Sequence, residues 1–139
     1  MKSQITVEVL VHASIEKTWQ YWTRPEHIIH WNFASDDWCA PRAENDLRVD
    51  GVFKYRMEAK DGSTGFDFGG TYTAVVLEKV LVYTMNGEDA REVSIQFSQE
   101  GENCRVTETF EAENENPLEM QRAGWQAILD NFKKYVETK

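Results

Sequence analysis

"NPLEMQRAGWQAILDNFKKYVE", Asn116 to Glu137, is the stretch on which the fold turns. Asn116 reads as an N-cap, Pro117 as the first helical residue, and Glu119 completes an Asn-x-x-Glu box. Leu118, Trp125, Ile128, Leu129, Phe132 and Val136 recur at helical spacing and make one apolar stripe, with Arg122, Lys133 and Lys134 off its centre. About 21 residues at 1.5 Å each predict a rod of roughly 30 Å. Gly124 inside it disfavours the helix by about 1 kcal/mol relative to Ala, which suggests close approach of the sheet or of Trp125 there. A stripe that long has to cover an apolar surface of similar width.

The rest of the chain supplies that surface as strands. Ile5, Val7, Val9 and Val11 alternate over residues 4–12. Ser14 offers a second N-cap, followed by Ile15, Trp19 and Trp22 at helical spacing; Pro25 opens a short helix carrying Ile28 and Trp31. Residues 32–45 show no period and read as loop. From Leu47 alternation returns, with Phe53, Tyr55 and Met57 on one face. "KDGS" (60–63) marks a hairpin. "GFDFGGTYTAVV" puts Phe66, Phe68, Tyr72 and Ala74 on one side, and its glycine pair suggests a bulge or bend. "VLVYTM" (80–85) ends at Asn86-Gly87. Val93, Ile95 and Phe97 mark the next strand; Cys104, Val106 and Phe110 mark the last. One-sided alternation joined by hairpins implies an antiparallel sheet with one wet face, and only the final helix is long enough to cover the other.

Composition narrows the function. The 139 residues suit one domain (1–139), and a content of 41% hydrophobic and 12% aromatic residues argues against disorder. A formal charge of −9 disfavours nucleic acid and anionic membrane as partners. No apolar run reaches the roughly 20 residues of a membrane span. "MKSQITVEVLVHAS" alternates instead of forming a signal-peptide core, so a cytoplasmic protein with two free thiols, Cys39 and Cys104, is expected.

In their order, "ASIEKTWQYWTRPEHIIHW" (13–31), "NDLRVDGVFKYRM" (45–57), "GFDFGGTYTAV" (65–75), "VTETFEAE" (106–113) and "QRAGWQAILDNFKKYV" (121–136) resemble the START-like (SRPBCC) superfamily. The match is best to its activator of Hsp90 ATPase homologue 1-like (AHSA1-like) group. Asp50 departs from the resemblance, standing where that group often has a second glycine. The resemblance implies an α+β helix-grip fold: a curved antiparallel sheet of six or seven strands wrapped around a long C-terminal helix, with two short helices after the first strand. It also implies a cavity between sheet and helix that takes lipids, polyketides or other apolar molecules. Fold alone does not choose among ligand carrier, enzyme and cochaperone. The additional N-terminal domain of the eukaryotic activator is not expected here, which ranks a chaperone partner last. A homodimer stays open.

Residues that would line such a cavity are Trp31, Trp38, Phe53, Tyr55, Met57, Phe68, Tyr72, Glu108, Trp125 and Leu129. Trp31, Phe33 and Trp38 suggest an aromatic lid. Glu108 is the sharpest of these observations, because it falls in phase with Cys104, Val106 and Phe110 and so turns toward the apolar face. It would bind a ligand's polar group, act as a general acid or base, or pair with Arg122. Asp67 has a weaker claim of the same kind. His27 and His30, three apart, lack a metal-binding frame and are expected on solvated surface, with no metal and no cofactor. No nucleophile with a base, phosphate loop or dinucleotide fingerprint occurs. A closed cavity with Glu108 ion-paired would favour a chaperone or structural role. An open one with Glu108 unpaired would favour a ligand carrier, or an enzyme such as a cyclase, dehydratase or hydrolase.

Overall fold

The computed structural model describes residues 3–87 and 90–139. Met1 and Lys2, part of the N-terminal stretch weighed as a leader, and the residues after the Asn86-Gly87 turn (88–89) lie outside them. The chain runs β1 (Gln4–Val11), α1 (Ile15–Thr23), α2 (Pro25–Ile28), β2 (Trp38–Asn45), β3 (Val52–Ala59) and β4 (Gly65–Val76). It continues through β5 (Val80–Met85), β6 (Glu92–Glu100), β7 (Asn103–Glu111) and α3 (Leu118–Glu137). All seven strands form one antiparallel sheet in the order β1-β7-β6-β5-β4-β3-β2. The sheet curves around the C-terminal helix in the helix-grip arrangement.

Period-two alternation decides which face is buried. Along β7 the inward residues Cys104, Val106, Glu108 and Phe110 are all buried, and β1 does the same with Ile5, Val7, Val9 and Val11. From α3, Leu129, Phe132 and Val136 complete this core. The Phe132 ring meets Trp22 and Trp31 edge-on, each with centroids 4.8 Å away. Ser14 caps α1 as its sequence suggests, its Oγ accepting from the Lys17 N–H at 3.1 Å.

Several local expectations change. The stretch read as loop holds an edge strand, β2, whose register with β3 slips between Cys39 and Arg42. The bulge and Pro41 break the alternation that would have betrayed it. In β4 the bulge sits between Tyr72 and Ala74, whereas β3 and β4 stay in register through Gly69 and Gly70. Those glycines serve close approach instead: a Cβ on either would lie 2.5 Å from a backbone oxygen, of Phe53 or of Thr84. Pro117 takes the N-cap place of α3, and Asn116 donates to Glu113 instead of capping the helix. Asp50 adopts φ 69°, the left-handed region that glycine favours and Asp tolerates. Its N–H is held by Tyr72 O at 2.9 Å.

One flank of α3 is tied to the free edge of β1. Arg122 donates to Thr6 O at 2.9 Å, Gln126 to Glu8 O at 3.2 Å and Lys133 to Leu10 O at 2.7 Å. The Glu137 carboxylate accepts from His12 N–H at 2.8 Å. The spacings match because fifteen helical residues rise about 22 Å and six strand residues about 20 Å. Side chains of α3 therefore occupy the carbonyls of an edge that would otherwise be open to pairing. No helix among the described residues is long and apolar enough to cross a membrane.

Candidate functional site

Between the apolar face of the sheet and α3 lies a cavity of about 270 Å³, partly open to solvent. Its sheet wall comes from β3 (Phe53, Tyr55, Met57), β4 (Phe66, Phe68, Tyr72), β5 (Leu81, Tyr83, Met85), β6 (Ile95) and β7 (Glu108). Trp22, Trp31 and Asn32 close it on one side, and Trp125 and Ile128 form the helical wall. Phe66 lines the cavity yet is 47% exposed, so it stands at the mouth.

The rings interlock. Phe53 lies 4.7 Å edge-on to Tyr83 and 5.0 Å from Tyr55. Trp125 stacks flat on Phe110 at 3.9 Å and meets Phe68 edge-on at 6.2 Å. Such packing holds a wall in place while leaving faces and edges available inside it.

Polar groups are few and specific. Glu108 is 6% exposed, and its cross-strand neighbours are the apolar Val7 and Ile95. The Arg122 guanidinium goes to Thr6 O instead, and no hydrogen bond or ion pair reaches the Glu108 carboxyl from the described residues. Burial pushes this carboxyl up to about 8, so near neutral pH it is largely protonated. Burial also pushes the Tyr83 hydroxyl well up, and the nearby Glu108 adds to this. Burial holds Tyr55 far above the ordinary phenol range and Tyr72 at about 12. Tyr72 donates to Asn45 Oδ1 at 2.6 Å, and Asn45 Nδ2 donates to Thr23 O at 2.7 Å. Asn32 is 6% exposed, and its Nδ2 is buried without a partner.

Eight of the ten residues expected to line a cavity do so: Trp31, Phe53, Tyr55, Met57, Phe68, Tyr72, Glu108 and Trp125. Leu129 is fully buried in the core beneath the cavity lining. Trp38 opens β2 and lies 6.0 Å from Phe66, outside the lining. Phe33 faces a separate surface cleft with Asp130 and Lys134. The expected lid thus reduces to Trp31, whose Nε1 donates to Tyr21 O at 3.0 Å. Asp67 points outward and is half exposed, 3.7 Å from Arg56, because Phe66 and Phe68 hold the inward phase beside it. Tyr83 was missed although "VLVYTM" alternates and carried the signal. Asn32, Arg91 and Glu113, which also line the cavity, sit in connections where no periodicity points a side chain.

His27 differs from expectation, whereas His30 is at the surface as expected. His27 is half-buried, stacked on Tyr21 at 3.9 Å, with Nδ1 2.8 Å from the Tyr135 hydroxyl. Burial lowers its pKa in spite of Glu26. His30 is exposed and stacks on the other face of this joint, against Tyr135 at 5.6 Å. Among the described residues no three His, Cys, Asp or Glu side chains are grouped to hold a metal. Cys39 and Cys104 are free thiols.

Solved structures share this architecture. The AHSA1-like protein from Aeromonas hydrophila is 45% identical, with a TM-score of 0.86 over 96% of this chain and 93% of its own. Chr148 from Cytophaga hutchinsonii is 48% identical, with a TM-score of 0.83 over 97% of this chain and 92% of its own. CV1439 from Chromobacterium violaceum, at 21% identity and a TM-score of 0.86 over 97% and 98%, shares the fold. No curated protein matches the chain. The model of the family described as "Activator of Hsp90 ATPase homolog 1-like protein" matches residues 12–137, and with nine-tenths of its length matched the chain belongs to that family.

Proposed function

We propose that this protein binds a small, mostly apolar molecule in the cavity between sheet and α3. The observation that carries the reading is a partly open, aromatic-walled cavity with a buried carboxyl, Glu108, that has no partner among the described residues. Ligand sites combine an apolar lining with a few placed polar groups in this way. Its volume of about 270 Å³ falls just under the usual range of about 300–1,000 Å³ for ligand pockets. The occupant is therefore small, a one- or two-ring aromatic or a short acyl chain instead of a whole phospholipid.

Tryptophan emission provides the test, since Trp22, Trp31 and Trp125 all line the cavity. Titration with naphthalene should quench it saturably, one molecule per chain. A response that grows linearly without saturation would overturn the reading. One observation favours an enzyme on the same site: a carboxyl raised to about 8 is a general acid at neutral pH. The Tyr83 hydroxyl would be its neighbour in such a role.

A further inference from the structure

We infer that the molecule held in the cavity is a cation, an ammonium group on a one- or two-ring apolar body, seated on the Glu108 carboxylate among the aromatic rings. This rests on the proposed function and adds the ligand's charge to it. Three observations converge. Glu108 is buried between Val7 and Ile95 with no partner on its carboxyl among the described residues. A buried acidic group left in that state is unfavourable, and a cation would answer it. The rings around the cavity, Phe53, Phe68, Tyr83 and Trp125 among them, present π faces that attract cations. The chain's net charge of −9 also draws cations toward it.

The groups that face Glu108 have to be weighed together. Tyr83 comes from β5, Tyr72 from β4 and Tyr55 from β3; the segment before β6 brings Arg91, and the one after β7 brings Glu113. On the other sides stand Val7 of β1, Ile95 of β6, Trp22 of α1 and Trp125 and Ile128 of α3, none of which titrates. The phenols stay neutral below pH 9 because burial raises all three. Among the described residues that line the cavity Arg91 is the one opposing charge; its Nη1 donates to Glu111 O at 3.1 Å, and the Glu113 carboxylate lines the same cavity. Asn32 adds an unpartnered donor, which suits an ether or carbonyl oxygen elsewhere on the ligand.

Calorimetry with naphthylmethylamine, naphthalenemethanol and naphthoate, three probes of one shape and different charge, tests this between about pH 6 and 9. Only the ionised carboxyl holds a cation. Amine affinity should therefore climb close to tenfold per pH unit and level off above about 8. Binding should release a proton at pH 7. The alcohol should show neither effect. In E108Q the amine should weaken by at least about tenfold and lose its pH slope, with the alcohol unchanged. Naphthoate binding tightest, or an amine no tighter than the alcohol and without a slope, would overturn the inference. Saturable naphthalene binding without naphthylmethylamine binding would overturn it and leave the cavity's proposed function standing. Failure of both probes removes both.

Discussion

The two flanks of α3 are built differently. On one, Arg122, Gln126, Lys133 and Glu137 bond the β1 edge from Thr6 to His12. On the other, Gln121 is held by the backbone of Glu113 and Asn116, and Asn131 donates to Trp31 O. Between those two points lie Ile128, on the cavity, and Gly124, where an added Cβ would meet nothing within 4 Å. The helix is fastened by directional polar bonds where the sheet ends, and by ring contacts where the cavity lies. The fastened flank protects an edge strand; the other, bonded at Gln121 and Asn131, leaves room between them beside Trp125 and Ile128, the α3 wall of the cavity.

The largest effect should come from the cavity side. Glu108 has a pKa near 8 when folded, against 4.5 as its ordinary value. The folded protein therefore holds a proton that the unfolded chain has lost between those pH values. Its stabilising contribution is full below about 4.5, falls as pH rises toward 8, and is gone above it. Glu108→Gln should abolish a slope of up to about 1.4 kcal/mol per pH unit and leave the variant more stable than the parent at pH 8. Urea unfolding at several pH values measures this. An unchanged slope would mean that the carboxyl is not the uncompensated group.

A smaller effect is expected on the fastened flank. Lys133→Met keeps the methylenes but gives up the bonds to Leu10 O and Glu137, and it should cost about 1 kcal/mol by urea unfolding. No loss would show that the Lys133 bonds contribute nothing to seating the helix on that flank. The smallest effect sharpens the contrast. Gly124→Ala should gain several tenths, up to about 1 kcal/mol, since helix propensity improves and no neighbour is displaced. A lower melting temperature for this variant would mean that the open flank is packed after all.

Legibility followed periodicity. β1, β4, β5 and β7 were readable because Ile5 to Val11 and Cys104 to Phe110 alternate cleanly, and so was the inward turn of Glu108. β2 was not, since a bulge and Pro41 break its alternation. Gly124 misled for a related reason: a helical glycine signals absence of a side chain, and the sequence does not say whether a neighbour or open space fills the gap. His27 looked like surface because nothing local shows that Tyr135, more than a hundred residues later, would meet its ring.

From the order of residues alone came the antiparallel sheet with one apolar face, the apolar stripe of α3 and the set of inward side chains, because each depends on a period that one element displays by itself; the helix-grip fold came from the resemblance of five segments to a known family. Tertiary structure decided which of those side chains bound empty space and which, like Leu129, are solid core, since that depends on how far helix and sheet stand apart. It also decided that Glu108 has no partner among the described residues. Arg122 was within reach in sequence terms, but its guanidinium is committed to Thr6 O on the far flank of α3, and only the folded chain determines which of two acceptors a long side chain can reach.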